Sequence, residues 1–202
     1  MWNKGENMFS GIVEKTAKTL DVKKEEKGLR LCIGNPYGEL QVGESIALDG
    51  ACLTVEKFDD KSIQFFLSDE TLSRTKFSRI SLKEHVFNLE RSLTLNKLLG
   101  GHIVLGHVDT VGKVRRVSED EEGRTVEIVF DSEFSRYTVY KGSIAVDGVS
   151  LTINDLGEGW ISLYLIPHTL QTTNLRYLRE GSPVNLEFDI LAKYVERLMK
   201  RD

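Results

Sequence analysis

Residues Gly43 to Val55 read GESIALDGACLTV, and Lys141 to Ile153 read KGSIAVDGVSLTI, so that seven of thirteen residues recur at a separation of 98 positions. Moving outward at the same separation, ETLSRTKF (Glu70 to Phe77) meets HTLQTTNL (His168 to Leu175), and Phe87 to Glu90 meets Val184 to Glu187 at a separation of 97. One module is written twice. A stacked solenoid repeats every 20 to 50 residues or roughly so, which makes each copy here a domain with its own core. The expected division is an N-terminal extension over 1–7, a first domain over 8–101, a second over 102–189 and a helical tail over 190–202, with the boundary near Gly100-Gly101.

Inside the repeated stretch, Ile46 and Leu48 alternate with Ser45, Ala47 and Asp49, and Asp49-Gly50 supplies the residues of a tight primed turn; Asp147-Gly148 repeats the device. Beyond each turn, Leu53 and Val55 oppose Cys52 and Thr54, as Leu151 and Ile153 oppose Ser150 and Thr152, which gives one core face and one small polar face. Further strands are predicted over 11–20, 29–33, 62–67 and 86–91, with counterparts over 107–117, 125–130, 160–165 and 183–189. Short, evenly spaced, repeated strands indicate an all-β chain of two antiparallel barrels or sandwiches.

Composition narrows the partners. The 202 residues carry 27 Lys and Arg against 31 Asp and Glu, a net charge of −4, with no long basic run, which argues against a nucleic-acid or anionic-membrane partner. No stretch approaches ~20 apolar residues and MWNKGENMFSG lacks an apolar export segment, so a cytoplasmic location is expected. Cys32 and Cys52, without C-x-x-C spacing, read as free thiols rather than a disulfide or zinc site. His102 and His107 are five apart, an odd separation that in a strand would face them opposite ways, so they would not chelate together. Gly100-Gly101 lacks a phosphate-loop pattern and reads as a linker turn.

Small hydroxyl or thiol groups can hydrogen-bond a ligand without filling its pocket. Ser45, Cys52 and Thr54 in copy one, and Ser143, Ser150 and Thr152 in copy two, put several on each hairpin. A single such residue on a strand is usually just solvated; its recurrence in both copies favours a site. His107 could serve as a general base near neutrality, whereas His168, standing where copy one has Glu70, reads as peripheral. In the tail, Leu191, Tyr194, Val195 and Leu198 form one helical stripe, destined either for its own domain or for another subunit.

The segments MFSGIVE, GESIALDGACLTV, GGHIVLGHVD, YKGSIAVDGVSLT, LIPHTLQTTNL and VNLEFDILAKYVERL, in this order from Met8 to about Leu198, resemble the riboflavin synthase family of the alpha-chain type, built from two lumazine-binding repeats. The resemblance implies two tandem six-stranded antiparallel Greek-key barrels and a C-terminal trimerisation helix. It implies a dismutation of two 6,7-dimethyl-8-ribityllumazine molecules, two per active site, to riboflavin and 5-amino-6-ribitylamino-uracil by transfer of a four-carbon unit. It implies no metal or redox cofactor, a homotrimer, and possible association with lumazine synthase. Carried over, the N-terminal site would use Gly11, Ile12, Val13, Ser45, Cys52, Leu53, Thr54 and Phe66, Leu67, Ser68, Asp69, Glu70, Thr71. The C-terminal site would use Gly106, His107, Val108, Lys141, Ser150, Leu151, Thr152 and Tyr164, Leu165, Ile166, Pro167, His168, Thr169. Backbone groups are expected to carry part of these contacts. For chemistry, His107 is the candidate base, Ser150 and Cys52 the candidate nucleophile or water-orienting groups, Thr152 and Thr54 positioning donors, and Asp189 a polar partner. A non-catalytic lumazine or flavin antenna of the same fold is the rival reading.

Overall fold

The computed structural model describes residues 7–200, so all but the last residue of the expected extension, and the last two residues of the tail, lie outside the described residues. Twelve strands form among them. The first six are β1 (Lys15–Glu25), β2 (Gly28–Gly34), β3 (Ser45–Leu48), β4 (Ala51–Phe58), β5 (Ser62–Ser68) and β6 (Val86–Arg91). They close into a barrel in the order β1-β2-β5-β4-β3-β6, every pair antiparallel. The second six are β7 (Thr110–Glu119), β8 (Arg124–Val129), β9 (Ser143–Val146), β10 (Val149–Gly157), β11 (Trp160–Leu165) and β12 (Pro183–Phe188), which close the same way. Closure removes the open edges that a six-stranded antiparallel sheet would otherwise present.

The alternation read from the sequence is what packs each barrel. In β4, Ala51, Leu53 and Val55 are buried and Thr54 exposed; in β10, Val149, Leu151 and Ile153 are buried and Thr152 exposed. Ile46, Leu48, Val55, Ile63, Phe65 and Phe87 fill the first core, and Ile144, Val146, Ile153, Ile161, Leu186 and Phe188 the second. The turns are of the primed kind. Asp49 and Gly50 both have positive φ, 43° and 79°, as do Asp147 and Gly148, 47° and 77°.

These two turns meet each other. A Cβ on Gly50 would fall 2.8 Å from the Gly148 nitrogen, and one on Gly148 would fall 2.7 Å from that of Gly50, so the barrels touch backbone to backbone on a local twofold axis. Around the contact lies a buried polar network. Asn88 Nδ2 donates to the Asp147 carbonyl at 2.9 Å, and Asn185 Nδ2 to the Asp49 carbonyl at 2.9 Å. Each aspartate also accepts a backbone N–H on its other side, from Asn88 and Asn185. One pair breaks the symmetry. Lys76 Nζ bridges Asp147 at 2.5 Å and Asp49 at 3.0 Å, while its counterpart Asn174 donates to Asp49 at 2.8 Å. Burial disfavours the ammonium, yet Asp147 and Asp49 outweigh it and hold Lys76 above its usual pKa. A cleft of about 1140 Å³ opens beside Lys76, His85 and Asp147.

Three expectations are corrected. Strands β1 and β7 begin at Lys15 and Thr110, not at Gly11 and His107, because residues 9–13 and 104–108 leave their own barrels and cross to the other. Phe9 and Val104 pair as an isolated bridge, Val13 packs on the second core, and Val108 packs on the first. Two short helices were also missed: α1 (Asp69–Arg74) after β5 and α2 (Pro167–Thr172) after β11, each followed by a single 3₁₀ turn. Finally, Gly101 is more than a linker, since a Cβ there would sit 2.2 Å from the Ser10 carbonyl oxygen and 2.7 Å from Ser150 Cβ.

The chain ends in α3 (Ile190–Met199), capped by Asp189 Oδ1, which accepts from the Leu191 N–H. Its polar side is the one that docks on the second barrel. Lys193 Nζ meets Asp109 at 2.6 Å, and Glu196 accepts from Tyr137 Oη at 2.6 Å and pairs with Arg136 at 3.0 Å. Leu191, Tyr194, Val195 and Leu198 face away, more than half exposed. Among the described residues no helix is long and apolar enough to cross a membrane.

Candidate functional site

The crossing segments decide which residues meet. Ser150 N–H donates to the Gly11 carbonyl at 2.7 Å, and Cys52 N–H donates to that of Gly106 at 2.9 Å. Both glycines have φ near +75° and both lie flat on the opposing hairpin; a Cβ would come within 2.6 Å of Ser150 Cβ and 2.5 Å of Cys52 Cβ respectively. The grouping expected from the sequence is therefore corrected: Gly11, Ile12 and Val13 lie with Ser150, and Gly106, His107 and Val108 lie with Cys52. The alignment shifts accordingly. Gly11 is the counterpart of Gly106, and His107 stands where the first copy has Ile12.

The pocket at Cys52 is a cavity of about 530 Å³ lined by Ala51, Cys52, Glu70, Thr71, Arg74, Thr75, Gly106, His107, Val108, Asp109 and Phe134. That volume is within the 300 to 1,000 Å³ or so typical of small-molecule sites. The thiol is pushed above its usual pKa by burial, against a hydrogen bond with Ser45 and with the charge of Glu187 adding to the rise, so it is a neutral donor near pH 7 rather than a thiolate. Ser68 caps α1 through the Thr71 N–H at 3.1 Å and orients the Thr71 side chain toward this pocket. His107 is exposed at the rim, and only its backbone is fixed, by donation to Glu187 at 3.0 Å.

At Ser150 the arrangement carries a base. His102 Nδ1 lies 2.7 Å from Ser150 Oγ, and Nε2 is buried without a partner. Burial lowers the His102 pKa, opposed by the charge of Asp189, so the imidazole is neutral near pH 7 and able to take the hydroxyl proton. In the sequence His102 was weighed only as a metal ligand with His107, and not as a base for Ser150. The segment is not a strand: His102 lies against Ser150, and His107 lines the cavity at Cys52. The signal that could have found it is Gly100-Gly101, whose second glycine lets the chain pass close enough to Ser150.

Other expected residues divide by burial. Leu53, Leu67, Leu151 and Leu165 are core residues, so their backbones, not their side chains, are available. Ser45 is buried beneath Cys52. The rings of Phe66 and Tyr164 cover Gly28 and Gly123 at the barrel rims, and Tyr164 Oη donates to Asp120 at 2.7 Å, which pushes the phenol up to about 12. Lys141, at φ 64°, reaches Asn154 at 2.9 Å. Asp69 and Glu70 occupy the first turn of α1, where Glu70 meets Arg74 at 3.5 Å and faces solvent. Ile166, Pro167 and His168 are exposed at the start of α2, and the Thr169 carbonyl accepts from Thr173. Thr54 and Thr152 are exposed on the outer faces of their strands. Asp189 is spent chiefly on capping α3.

The lumazine binding domain model matches this chain twice, over residues 10–92 and 105–189. A riboflavin synthase of Mycobacterium tuberculosis is 40% identical over 199 residues, 96% of this chain and 98% of that protein. One from Actinobacillus pleuropneumoniae is 35% identical over 194 residues, 95% and 90% of the two chains. Among solved structures, that of LumP in complex with riboflavin superposes with a TM-score of 0.82 at 25% identity, covering 89% of this chain and 98% of the other.

Proposed function

The chain belongs to the lumazine-binding domain family, with one such domain in each barrel, and we propose from that premise that its two pockets hold the two substrate molecules of the riboflavin synthase reaction. Riboflavin synthases cover nearly the whole chain at 35–40% identity, and the activity is that of a transferase: two molecules of 6,7-dimethyl-8-ribityllumazine give riboflavin and 5-amino-6-ribitylamino-uracil. The observation that carries the two-pocket reading is the reciprocal crossing. Each barrel lays a glycine loop on the hairpin of the other, at Cys52 beside a cavity and at Ser150 beside His102, which gives one chain two similar settings for a reaction that consumes two copies of one molecule.

The chemistry asks for a proton to leave the 7-methyl of one lumazine and for the resulting carbon nucleophile to attack the other. Much of the activation lies in the substrate, and the protein contributes orientation and hydrogen bonds, effects that lower a barrier by several kcal/mol or more. In this reading His102 and Ser150 form the proton-handling pair of one pocket. Cys52 and Ser45 give the other pocket neutral donors, with His107 at its mouth as the second candidate base. Thr54 and Thr152 remain positioning donors and Asp189 a polar partner that tunes His102.

Productive apposition belongs between subunits, in a homotrimer. Two observations support this: the docked face of α3 is polar, and its exposed face carries Leu191, Tyr194, Val195 and Leu198. The same reading puts the protein in the cytoplasm, with a lumazine synthase shell as its neighbour. An antenna role would leave one pocket without polar groups, whereas both are furnished here. The test is incubation with 6,7-dimethyl-8-ribityllumazine, following riboflavin fluorescence while sedimentation reports the assembly. Production of riboflavin by a trimer is expected; a protein that binds the lumazine unchanged is an antenna.

A further inference from the structure

We propose that Glu90 and Glu187 are positioning residues, each holding the loop that completes the pocket of the opposite barrel. Glu90 lies on β6 of the first barrel, is 2% exposed, and accepts from Ser10 N–H and Ser10 Oγ–H, both at 2.7 Å, and from Gly11 N–H at 2.9 Å. Glu187 lies on β12 of the second, is 4% exposed, and accepts from Leu105 N–H at 2.6 Å and His107 N–H at 3.0 Å. In the ladders they stand opposite Ala47 and Ala145, small residues that leave room for a carboxylate.

A buried carboxylate without a contacting cation is costly, and an apolar residue would serve the barrel wall better. What the carboxylate supplies is two acceptor oxygens for consecutive turns of one loop. With its N–H groups pinned from beneath, the loop presents its glycine carbonyl outward: Gly11 to Ser150 and Gly106 to Cys52. The coupling is crossed. Glu90 of barrel one sets the pocket at Ser150, and Glu187 of barrel two sets the pocket at Cys52. Burial raises Glu187 to about 7, opposed by the Leu105 N–H and Lys193 and reinforced by Asp109. Cys52, the other titratable group facing it, titrates higher than usual. On protonation the acid can no longer accept at both oxygens, as a glutamine cannot.

The experiment uses Cys52 as a reporter, with riboflavin as the probe and alkylation read by peptide mass mapping to separate Cys52 from Cys32; protection by riboflavin rests on the function proposed above. E187Q should weaken riboflavin protection of Cys52 about tenfold and E90Q leave it unchanged. With S150C as reporter in a C52S background, the effects should exchange. In the parent protein, protection of Cys52 should carry an inflection near pH 7, weaker on the acid side, that E187Q abolishes; a merely structural carboxylate would not produce it. Changes confined to the barrel that bears the substitution, or equal in both, overturn the proposal. If riboflavin fails to protect the parent protein, the functional reading is what fails, and the crossed pattern is read from ligand-free alkylation rates. Should E187Q not fold, the pH inflection of the parent decides.

Discussion

The two crossings share a backbone and differ in their acid–base groups. In both, a glycine carbonyl from one barrel receives the N–H of a hairpin residue from the other, at 2.7 and 2.9 Å, and a buried glutamate steadies the loop. At that hairpin position, however, one crossing has Cys52 over Ser45, a thiol kept protonated by burial, and the other has Ser150 against the neutral imidazole of His102. The difference teaches what each feature is for. On the function proposed above, the geometry that both substrate molecules need is kept twice, while the proton transfer that only one of them has to begin with falls to one side. A near-symmetric frame thus carries two unlike sets of acid–base groups.

The frame itself is broken most severely at the axis. Gly148→Ala would place a side chain against the Gly50 backbone at a positive φ, with no flexible atom to yield, and is expected to cost about 3 kcal/mol or more. Lys76→Asn, which makes the axis symmetric by copying Asn174, is expected to cost about 3–5 kcal/mol at neutral pH because it leaves Asp49 and Asp147 buried without their shared cation. Its pH dependence has a definite sign. Asp147 is already pushed up to about 6 by burial despite Lys76, against 3.8 ordinarily. Without the lysine both carboxyls rise, so stability present at low pH is lost as the pH climbs through their folded values. Denaturant titrations of variant and parent at pH 4.5 and 7.5 should show the deficit shrinking on the acid side, and a constant deficit would mean the lysine acts only by packing.

The asymmetry of the pockets is tested next. His102→Gln should lower kcat for riboflavin formation about 100-fold, the scale of a lost general base, while His107→Gln, whose side chain is exposed and unbonded, should lower it only a few-fold. Single-turnover rates with 6,7-dimethyl-8-ribityllumazine would rank them. A larger loss for His107→Gln would assign the base to the Cys52 pocket and reverse the roles of the barrels.

How much of this was legible in the sequence follows from the range of each interaction. The primed turns at Asp49-Gly50 and Asp147-Gly148, the alternation in β4 and β10 and the correspondence of Cys52 with Ser150 rest on local pattern, and period-two burial with a repeat was enough to read them. The crossing of residues 9–13 and 104–108 was not. Their alternation, MFSGIV and IVLGHV, is that of a strand, and only the competition between pairing within a barrel and burying Val13 and Val108 in the other core sends them across. For the same reason His102 was missed and Gly11 grouped with the wrong hairpin. Asp147 reads only as a turn aspartate and Lys76 carries no signal of its own, because nothing in a single copy shows that the two turns will meet.

The smallest effect compares the two caps. Ser68 closes the first turn of α1 by accepting from the Thr71 N–H, and its counterpart before α2 is Ile166, which has no side-chain acceptor and is 51% exposed. Ser68→Ala should therefore cost about 1 kcal/mol, and Ile166→Ser should gain about 0.5–1 kcal/mol by adding a cap and removing an exposed apolar side chain, both within reach of thermal unfolding. An exposed isoleucine where a serine would be more stable has a reason if a flat apolar ring rests on it. In that case Ile166→Ser raises the unfolding temperature and weakens riboflavin binding, whereas Ser68→Ala lowers the temperature and acts on binding only through Thr71. A stabilised Ile166→Ser variant with undiminished binding would instead make the missing cap simple drift between the copies, and would leave Ile166 without a part in binding.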